Sequence, residues 1–177
     1  DDLIFSASSD IDSVPVTVEG TTLVATPDPD FNGSATITVS VSDGDLDDIT
    51  SFTLTINAVN DAPIIDLVSD QTINEDSSLT LTLSAFDIDE DDLIFSATSD
   101  NDNVSVTIDG TTLVATLNAD YNGSAFITVD VTDGEYVSTD SFTLTINAVN
   151  DSPIVVSPID DVFVDEDSDI YQIDLIT

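Results

Sequence analysis

Carboxylates are the only ionisable side chains with which this sequence could do chemistry at neutral pH. Its 177 residues include 37 Asp and Glu but no Lys, Arg, His or Cys, so the formal net charge is −37. No carboxylate can therefore form a salt bridge with another side chain. Self-repulsion of this size opposes a compact state, unless bound cations neutralise part of the charge.

Acidic and amide residues gather in short motifs that recur between strand-like segments. They are Asn74-Glu75-Asp76 with its echo Asp165-Glu166-Asp167, Asp87-Ile88-Asp89, the turns with Asp30 and Asp120, the pairs Asn60-Asp61 and Asn150-Asp151, and Asp133 with Gly134. Ca²⁺ takes six to eight oxygen ligands, whereas Mg²⁺ prefers a small octahedral shell that retains water. The motifs therefore predict Ca²⁺ sites. The alternative for Asp30 and Asp120 is that they only turn the chain, as Asp often does without a metal.

The composition excludes several classes of function. Nucleic-acid binding needs Lys and Arg at the phosphates, and attraction to an anionic membrane surface needs them as well. No apolar run approaches the ~18 residues of a membrane span, so direct membrane insertion is not expected. Catalysis by His or Cys is impossible, and although a carboxylate pair could still serve a glycosidase, we do not expect an enzyme.

The chain repeats itself with an offset of 90 residues. DDLIFSA begins at 1 and 91, TTLVAT at 21 and 111, and SFTLTINAVND at 51 and 141, and about two thirds of the positions in 1–60 are identical to their counterparts in 91–150. The repeat unit is therefore the size of a small domain.

Within the unit the hydrophobic period is two, as in TLTIN and LVAT, which indicates half-buried strands. VEGTT and IDGTT predict tight hairpins. We expect seven strands in one unit, near 70–74, 79–86, 93–98, 104–108, 111–116, 124–132 and 139–148. The predicted fold is all-β, a tandem of seven-stranded Greek-key, immunoglobulin-like sandwiches.

Pro63 and Pro153 follow the two Asn-Asp pairs and indicate short, stiff linkers. We therefore expect residues 1–60 to be the C-terminal part of one repeat without its first two strands. Residues 61–150 would be a complete repeat, and residues 151–177 would be the first strands of a further repeat.

These motifs resemble the bacterial cadherin-like tandem repeats of large calcium-dependent surface adhesins. In that family a glutamate follows the first strand, D-x-D follows the second, and V-N-D-x-P links the domains; here Glu75, Asp87-Ile88-Asp89 and residues 59–63 match. Asp133-Gly134 resembles the family's D-x-x-G-like element. The chain departs from the family in having no basic residue in the acidic-basic-acidic motif, so that only Asp30 and Asp120 lie near its place.

The resemblance implies two sets of Ca²⁺ ligands, one on either side of the complete repeat. The set before it comprises Asp30, Asn60, Asp61, Asp87, Asp89 and Asp133. The set after it comprises Glu75, Asp120, Asn150 and Asp151. Glu166, or alternatively Asp165, could supply the acidic ligand that the first set lacks, if chains join end to end.

The implied function is a calcium-rigidified structural and adhesive module of an extracellular bacterial surface protein or biofilm fibre, with neighbouring repeats as partners. The alternative is a carbohydrate-binding module of a secreted protein that contacts a polysaccharide. A half sandwich would expose an apolar face, which suggests that residues 151–177 complete residues 1–60 of another copy in a head-to-tail homopolymer. The alternative to this assembly is a fragment cut without regard to domain edges.

Overall fold

The computed structural model describes residues 2–155, 161–167 and 172. All the regular secondary structure that it assigns within those ranges is β-strand. The described residues therefore contain no helix that is long and apolar enough to cross a membrane. In chain order the strands are β1 (Ile4–Ser9), β2 (Val16–Glu19), β3 (Thr22–Ala25), β4 (Gly33–Ser42), β5 (Asp47–Ile56), β6 (Ile64–Ile65), β7 (Gln71–Asn74), β8 (Ser78–Thr82), β9 (Ala85–Phe86), β10 (Ile94–Ser99), β11 (Val104–Asp109), β12 (Thr112–Leu117), β13 (Gly123–Thr132) and β14 (Val137–Asn147).

Residues 64–147, called the second unit, form a two-layer sandwich. One sheet has the order β10-β13-β14-β7, with β7 parallel to β14, and the facing sheet has the order β11-β12-β8. The alternation of apolar and polar residues turns every second side chain inward, so that Ile127, Val129 and Val131 of β13 are fully buried. They pack in one core with Phe142 and Leu144 of β14. The predicted all-β sandwich fold is confirmed.

The expected strand 79–86 is divided in the structure because its two halves pair with different partners. β8 pairs with β12, whereas β9 pairs with β6, a short strand that the sequence pattern did not predict. Between them, the Leu83 N–H donates to the Thr111 carbonyl and the Leu83 side chain is buried. The chain thus changes sheets at this point.

Residues 2–57, called the first unit, repeat the pairing of the second unit with the same 90-residue offset. β1-β4-β5 form one sheet and β2-β3 the other, and Ile37 faces Phe52 just as Ile127 faces Phe142. No described strand takes the places that β7 and β8 occupy in the second unit. Its buried core is correspondingly small and comprises Val14, Ala35 and Ile37.

The predicted hairpins lie where the Gly residues permit them. In the second unit Asp109 pairs with Thr112, so Gly110 and Thr111 form a two-residue turn, and Gly110 has a φ of 59°. Glycine adopts this left-handed conformation without steric cost. Gly20 has the same role in the first unit, with a φ of 62°.

Candidate metal centre

Three alternate carboxylates follow β9, at the end of the second unit that faces the first unit. Asp87, Asp89 and Asp91, called the first cluster, each place a carboxylate oxygen within 4.8 Å of the other two. Glu90 lies between them with a φ of 63°. That conformation is uncommon for a residue other than Gly, Asn or Asp, and it belongs to the bend that brings the three carboxylates together.

Asp87 is the buried member of the first cluster, with a relative exposure of 5%. Its Oδ1 accepts the Asp89 N–H at 2.8 Å and the Asp91 N–H at 3.5 Å. Its Oδ2 is inaccessible to solvent and has no hydrogen-bond partner in the described part of the chain. An unsatisfied buried polar atom costs about 1–3 kcal/mol, and more when it carries charge, so a cation at this oxygen would remove a substantial penalty.

The linker between the units is hydrogen-bonded to carboxylates at this end of the second unit. The Asp61 N–H donates to Asp89 Oδ2 at 2.8 Å, and the Asn60 amide donates to Asp133 Oδ2 at 2.9 Å. Asp133 Oδ1 accepts the N–H groups of Glu135 and Tyr136, each at 2.7 Å. Linker and second unit are therefore joined through acidic side chains.

Opposing effects act on the Asp133 carboxyl. Partial desolvation works against its ionisation, but the N–H groups of Tyr136 and Glu135 and the Asn60 amide together lower its pKa below the ordinary value of 3.8. Asp133 is therefore held as an anion beside the first cluster.

Asp30 of the first unit reaches the same region. It lies in the turn before β4 with a φ of 60°, and it lines a cleft of about 260 Å³ together with Asn32, Asp61 and Asp89. The structure thus brings carboxylates of the first unit, the linker and the second unit to one place.

The crowding of like charges is visible in the pKa shifts. Desolvation, and then the charges of Asp30, Asp89 and Asp87, raise the pKa of Asp61. Desolvation, and then Asp87 and Asp89, also raise the pKa of Asp91. Opposite charge nearby would have lowered these values, so desolvation and like charge dominate the surroundings of both carboxyls.

Asp76, Asp120 and Asp151 form a second cluster at the opposite end of the second unit, again with oxygens within 4.8 Å of one another. The Asp120 N–H donates to Asp76 Oδ1 at 3.4 Å. Desolvation, followed by the charges of Asp120, Asp76 and Glu75, raises the pKa of Asp151.

Glu75 lies beside the second cluster and is buried, with a relative exposure of 6%. Unlike those of Asp87, both of its carboxylate oxygens accept hydrogen bonds from the protein. Its Oε1 accepts the Val149 N–H at 2.5 Å, and its Oε2 accepts the Asn122 amide at 3.2 Å.

Two predicted ligands are placed differently. Asn150 is exposed and donates its amide to the Asp151 carbonyl at 3.1 Å. Glu166 lies in an exposed turn of the described segment 161–167 and has no hydrogen bond to either cluster among the described residues. The other predicted residues lie at the end of the second unit to which the ligand sets assigned them.

The ligand prediction omitted Asp91 and Asp76. Asp91 continues the two-residue spacing of Asp87 and Asp89 in DIDEDD, a spacing that could have revealed it. Asp76 lies within the motif from which only Glu75 was selected. Glu90 bends the chain beside Asp91, and Asp76 shares a turn with Glu75. The spacing of the motifs alone shows neither feature.

Comparison with known proteins gives the family context. Residues 60–147, which include the whole sandwich of the second unit, match the family model of the bacterial Ig domain. No curated protein sequence matches.

Among solved structures, human protocadherin-24 domains EC1-2 are similar in fold, with a TM-score of 0.53, 17% identity and coverage of 86% of this chain and 84% of that chain. An endo-fucoidan hydrolase of glycoside hydrolase family 107 also matches, with a TM-score of 0.40, 20% identity and coverage of 85% of this chain. The chain spans about a quarter of that enzyme's length, 24%. Titin domains Z1Z2, in complex with telethonin, match with a TM-score of 0.42, 13% identity and coverage of 84% and 83%.

Proposed function

We propose that this chain is a structural and adhesive module of an extracellular bacterial protein, in which bound Ca²⁺ holds consecutive Ig-like units in line. One observation carries the calcium part of the proposal: the buried Oδ2 of Asp87 has no hydrogen-bond partner among residues 2–155, 161–167 and 172. It belongs to a cluster of three carboxylates beside the linker between the two units. A cation there would satisfy the orphaned oxygen and offset the repulsion.

The donor atoms favour Ca²⁺ over other metals. Every candidate ligand is a carboxylate, an amide or a backbone carbonyl, since the sequence contains no His or Cys. Zn²⁺ is usually bound through His nitrogen or Cys sulfur. Mg²⁺ demands a compact octahedral shell, whereas Ca²⁺ accepts a larger and less regular one, which suits ligands drawn from three separate segments.

An ion in the first cluster would act on the linker as well as on the charge. Asp87, Asp89 and Asp91 come from the second unit, Asp61 from the linker and Asp30 from the first unit. A shared ion would tie these segments together and restrict bending between the units. The second cluster would do the same with the segment after Asp151, with lower affinity because no described residue there has a buried oxygen without a partner.

An extracellular setting supports this function. Extracellular calcium modules have dissociation constants of about 10⁻⁴ to 10⁻³ M, which outside the cell keeps the sites loaded. The carbohydrate-binding alternative has no comparable support, since the clefts at the junction and on the first unit are each lined by at most one aromatic side chain.

A thermal melt with Ca²⁺ or with chelator tests the proposal, using Asp87→Asn. Ligand at 100 times its dissociation constant stabilises a protein by about 2.7 kcal/mol, so the native chain should melt several degrees higher with Ca²⁺. Asp87→Asn should lose most of this shift. In chelator the same variant should melt at or above the native temperature, because it removes an unpaired buried charge.

The matched control is Asp102→Asn, an exposed carboxylate of the same unit outside both clusters. It removes the same charge and should keep the full calcium shift. The proposal fails if Ca²⁺ leaves the native melting temperature unchanged, or if Asp102→Asn and Asp87→Asn reduce the shift equally.

A further inference from the structure

Each unit carries one Asn-Gly pair at the start of a long strand. Asn32 precedes Gly33, the first residue of β4, and Asn122 precedes Gly123, the first residue of β13. Both Asn residues are exposed. Gly has no β-carbon, so nothing on it hinders attack of its backbone nitrogen on the side chain of the Asn before it. The two pairs are therefore candidates for spontaneous modification.

The fold requires Gly at both positions. Gly33 has a φ of 139° and Gly123 a φ of 145°, which residues other than Gly rarely adopt. A β-carbon on Gly123 would lie 2.8 Å from the Tyr121 hydroxyl oxygen. That hydroxyl is held in place, because it donates to the Ser124 carbonyl at 3.1 Å. The residue that makes Asn122 reactive is thus fixed by the packing around it.

We propose that Asn32 and Asn122 are deamidation sites, so that each unit gains a carboxylate beside one of the two clusters as the protein ages. The Gly123 nitrogen attacks Cγ of Asn122, and the side-chain amide leaves as ammonia with the proton of the Gly123 N–H. Water then opens the resulting cyclic succinimide and leaves aspartate or isoaspartate at position 122. Asn32 reacts through Gly33 in the same way. The reaction consumes only water.

The attacking nitrogens lie at strand ends, where the structure opens most easily. Gly123 pairs with Ile146 and Gly33 pairs with Ile56, and these are the first pairs of β13 and β4 with their partners. Fraying at the end of a strand costs little free energy. Each nitrogen can therefore reach its Asn side chain without unfolding of the sandwich.

Asn122 contacts a buried carboxylate. Its amide donates to Glu75 Oε2 at 3.2 Å, and Glu75 has a relative exposure of 6%. Deamidation replaces this donor with an acceptor that carries charge, so that a hydrogen bond becomes a contact between like charges. Without a cation, that contact disfavours the folded state in which Glu75 is buried.

Asn32 lies at the first cluster instead. It lines a cleft of about 450 Å³ together with Asn60, Asp89 and Asp91. A carboxylate at position 32 would add a charged oxygen ligand there, as one at position 122 would beside the second cluster. Charged ligands raise the affinity of a Ca²⁺ site. This consequence rests on the proposed calcium function, whereas the reaction itself does not.

Peptide mapping by mass spectrometry tests the reaction on the native chain, aged at mildly alkaline pH without metal. Chymotryptic cleavage is suitable because the chain has no Lys or Arg. The matched controls are Asn57 and Asn147, which are also exposed but are each followed by Ala. Since Ala carries a β-carbon and Gly does not, Asn32 and Asn122 should deamidate about tenfold faster than these controls. Equal rates at all four positions would overturn the proposal.

Asn122→Asp tests the consequence for stability, because it reproduces the aspartate product. In chelator it should melt several degrees lower than the native chain, whereas Asn122→Gln, which keeps an amide, should melt close to it. In the Glu75→Gln background, Asn122→Asp should lower the melting temperature much less, because the buried like charge is gone. Equal lowering in both backgrounds would overturn the contact assigned to Glu75.

Calcium titration separates this inference from the proposed function. Asn122→Asp should bind Ca²⁺ at the second cluster about tenfold more tightly than the native chain, and unchanged affinity would overturn the role of position 122 as an added ligand. Deamidation at both pairs in a chain that binds no Ca²⁺ would support the modification and overturn the calcium function.

Discussion

At the residue scale, the first cluster combines one buried carboxylate with two more accessible ones. Asp91 was missed by the motif prediction, yet it lies with Asp87 and Asp89 within 4.8 Å. Asp91→Asn should therefore raise the dissociation constant for Ca²⁺ at the first cluster about tenfold, which corresponds to about 1.4 kcal/mol. Isothermal titration calorimetry measures this effect.

Asp92→Asn provides the control, since Asp92 is the adjacent exposed residue and lies outside the cluster. It makes the same change in net charge one position away. Equal weakening by the two variants would mean that the site responds only to overall charge and not to the geometry of its ligands.

Proton binding gives a second prediction at this scale. The pKa values of Asp61, Asp91 and Asp151 are raised by desolvation and then by neighbouring carboxylates. A raised folded-state pKa contributes stability below the ordinary value of 3.8 that is lost as the pH rises through the folded-state value. In chelator, the free energy of unfolding should therefore increase as the pH falls from neutrality towards about 4.

Asp43 and Asp133 limit this increase in the free energy of unfolding at the lowest pH values. The Leu46 and Asp45 N–H groups lower the pKa of Asp43, and the pKa of Asp133 is also lowered. Their stabilisation is present above 3.8 and is lost as the pH falls through the lowered values. Urea unfolding across this pH range should show a maximum in the free energy of unfolding. Ca²⁺ should shift this maximum towards neutral pH, because protons compete for its ligands. Stability without metal that falls steadily from neutrality would contradict this account.

At the element scale, the two units provide an internal comparison of one fold with and without its first two strands. Phe142→Ala should cost about 3–5 kcal/mol, the usual value for a buried aromatic residue. Phe52→Ala should cost clearly less in the monomer, because 45% of Phe52 is already exposed. Urea unfolding of both variants measures the difference. Equal costs would mean that Phe52 is covered in solution.

The sequence predicted the strands well because their alternation reports burial directly. β13 and β14 have strict period-two patterns, and the 90-residue repeat carries the register from one unit to the other. The division of β8 from β9 was missed, since both halves are apolar and only the pairing partner changes. Likewise, the spacing of the motifs selected Asp87 and Asp89 as candidate ligands. It could not show that Asp87 Oδ2 would be buried without a partner among the described residues, because that depends on tertiary packing.

At the scale of the whole molecule, the charge of −37 acts on every unit and linker. Salt screens exposed charges over a Debye length of about 10 Å at 0.1 M, so NaCl should stabilise the metal-free chain to some extent. Ca²⁺ should stabilise it much more than NaCl or MgCl₂ at equal ionic strength, because the site proposed at the first cluster prefers Ca²⁺. Thermal melts at matched ionic strength measure this difference in stabilisation. Equal effects of the three salts would mean that Ca²⁺ acts only by screening charge.

Calcium should also change the shape of the molecule. Each unit is built on ten- or eleven-residue strands, which span about 34–37 Å, so two units held in line should measure about 70 Å. Small-angle scattering of the native chain should show a narrow distribution of particle lengths near that value with Ca²⁺. Chelator should broaden it, because repulsion among Asp30, Asp61 and Asp89 then opposes close approach of the units. Asp87→Asn should resemble the chelated form even with Ca²⁺, whereas Asp102→Asn should not. A distribution that changes neither with Ca²⁺ nor with Asp87→Asn would mean that only the linker backbone and Pro63 stiffen the junction.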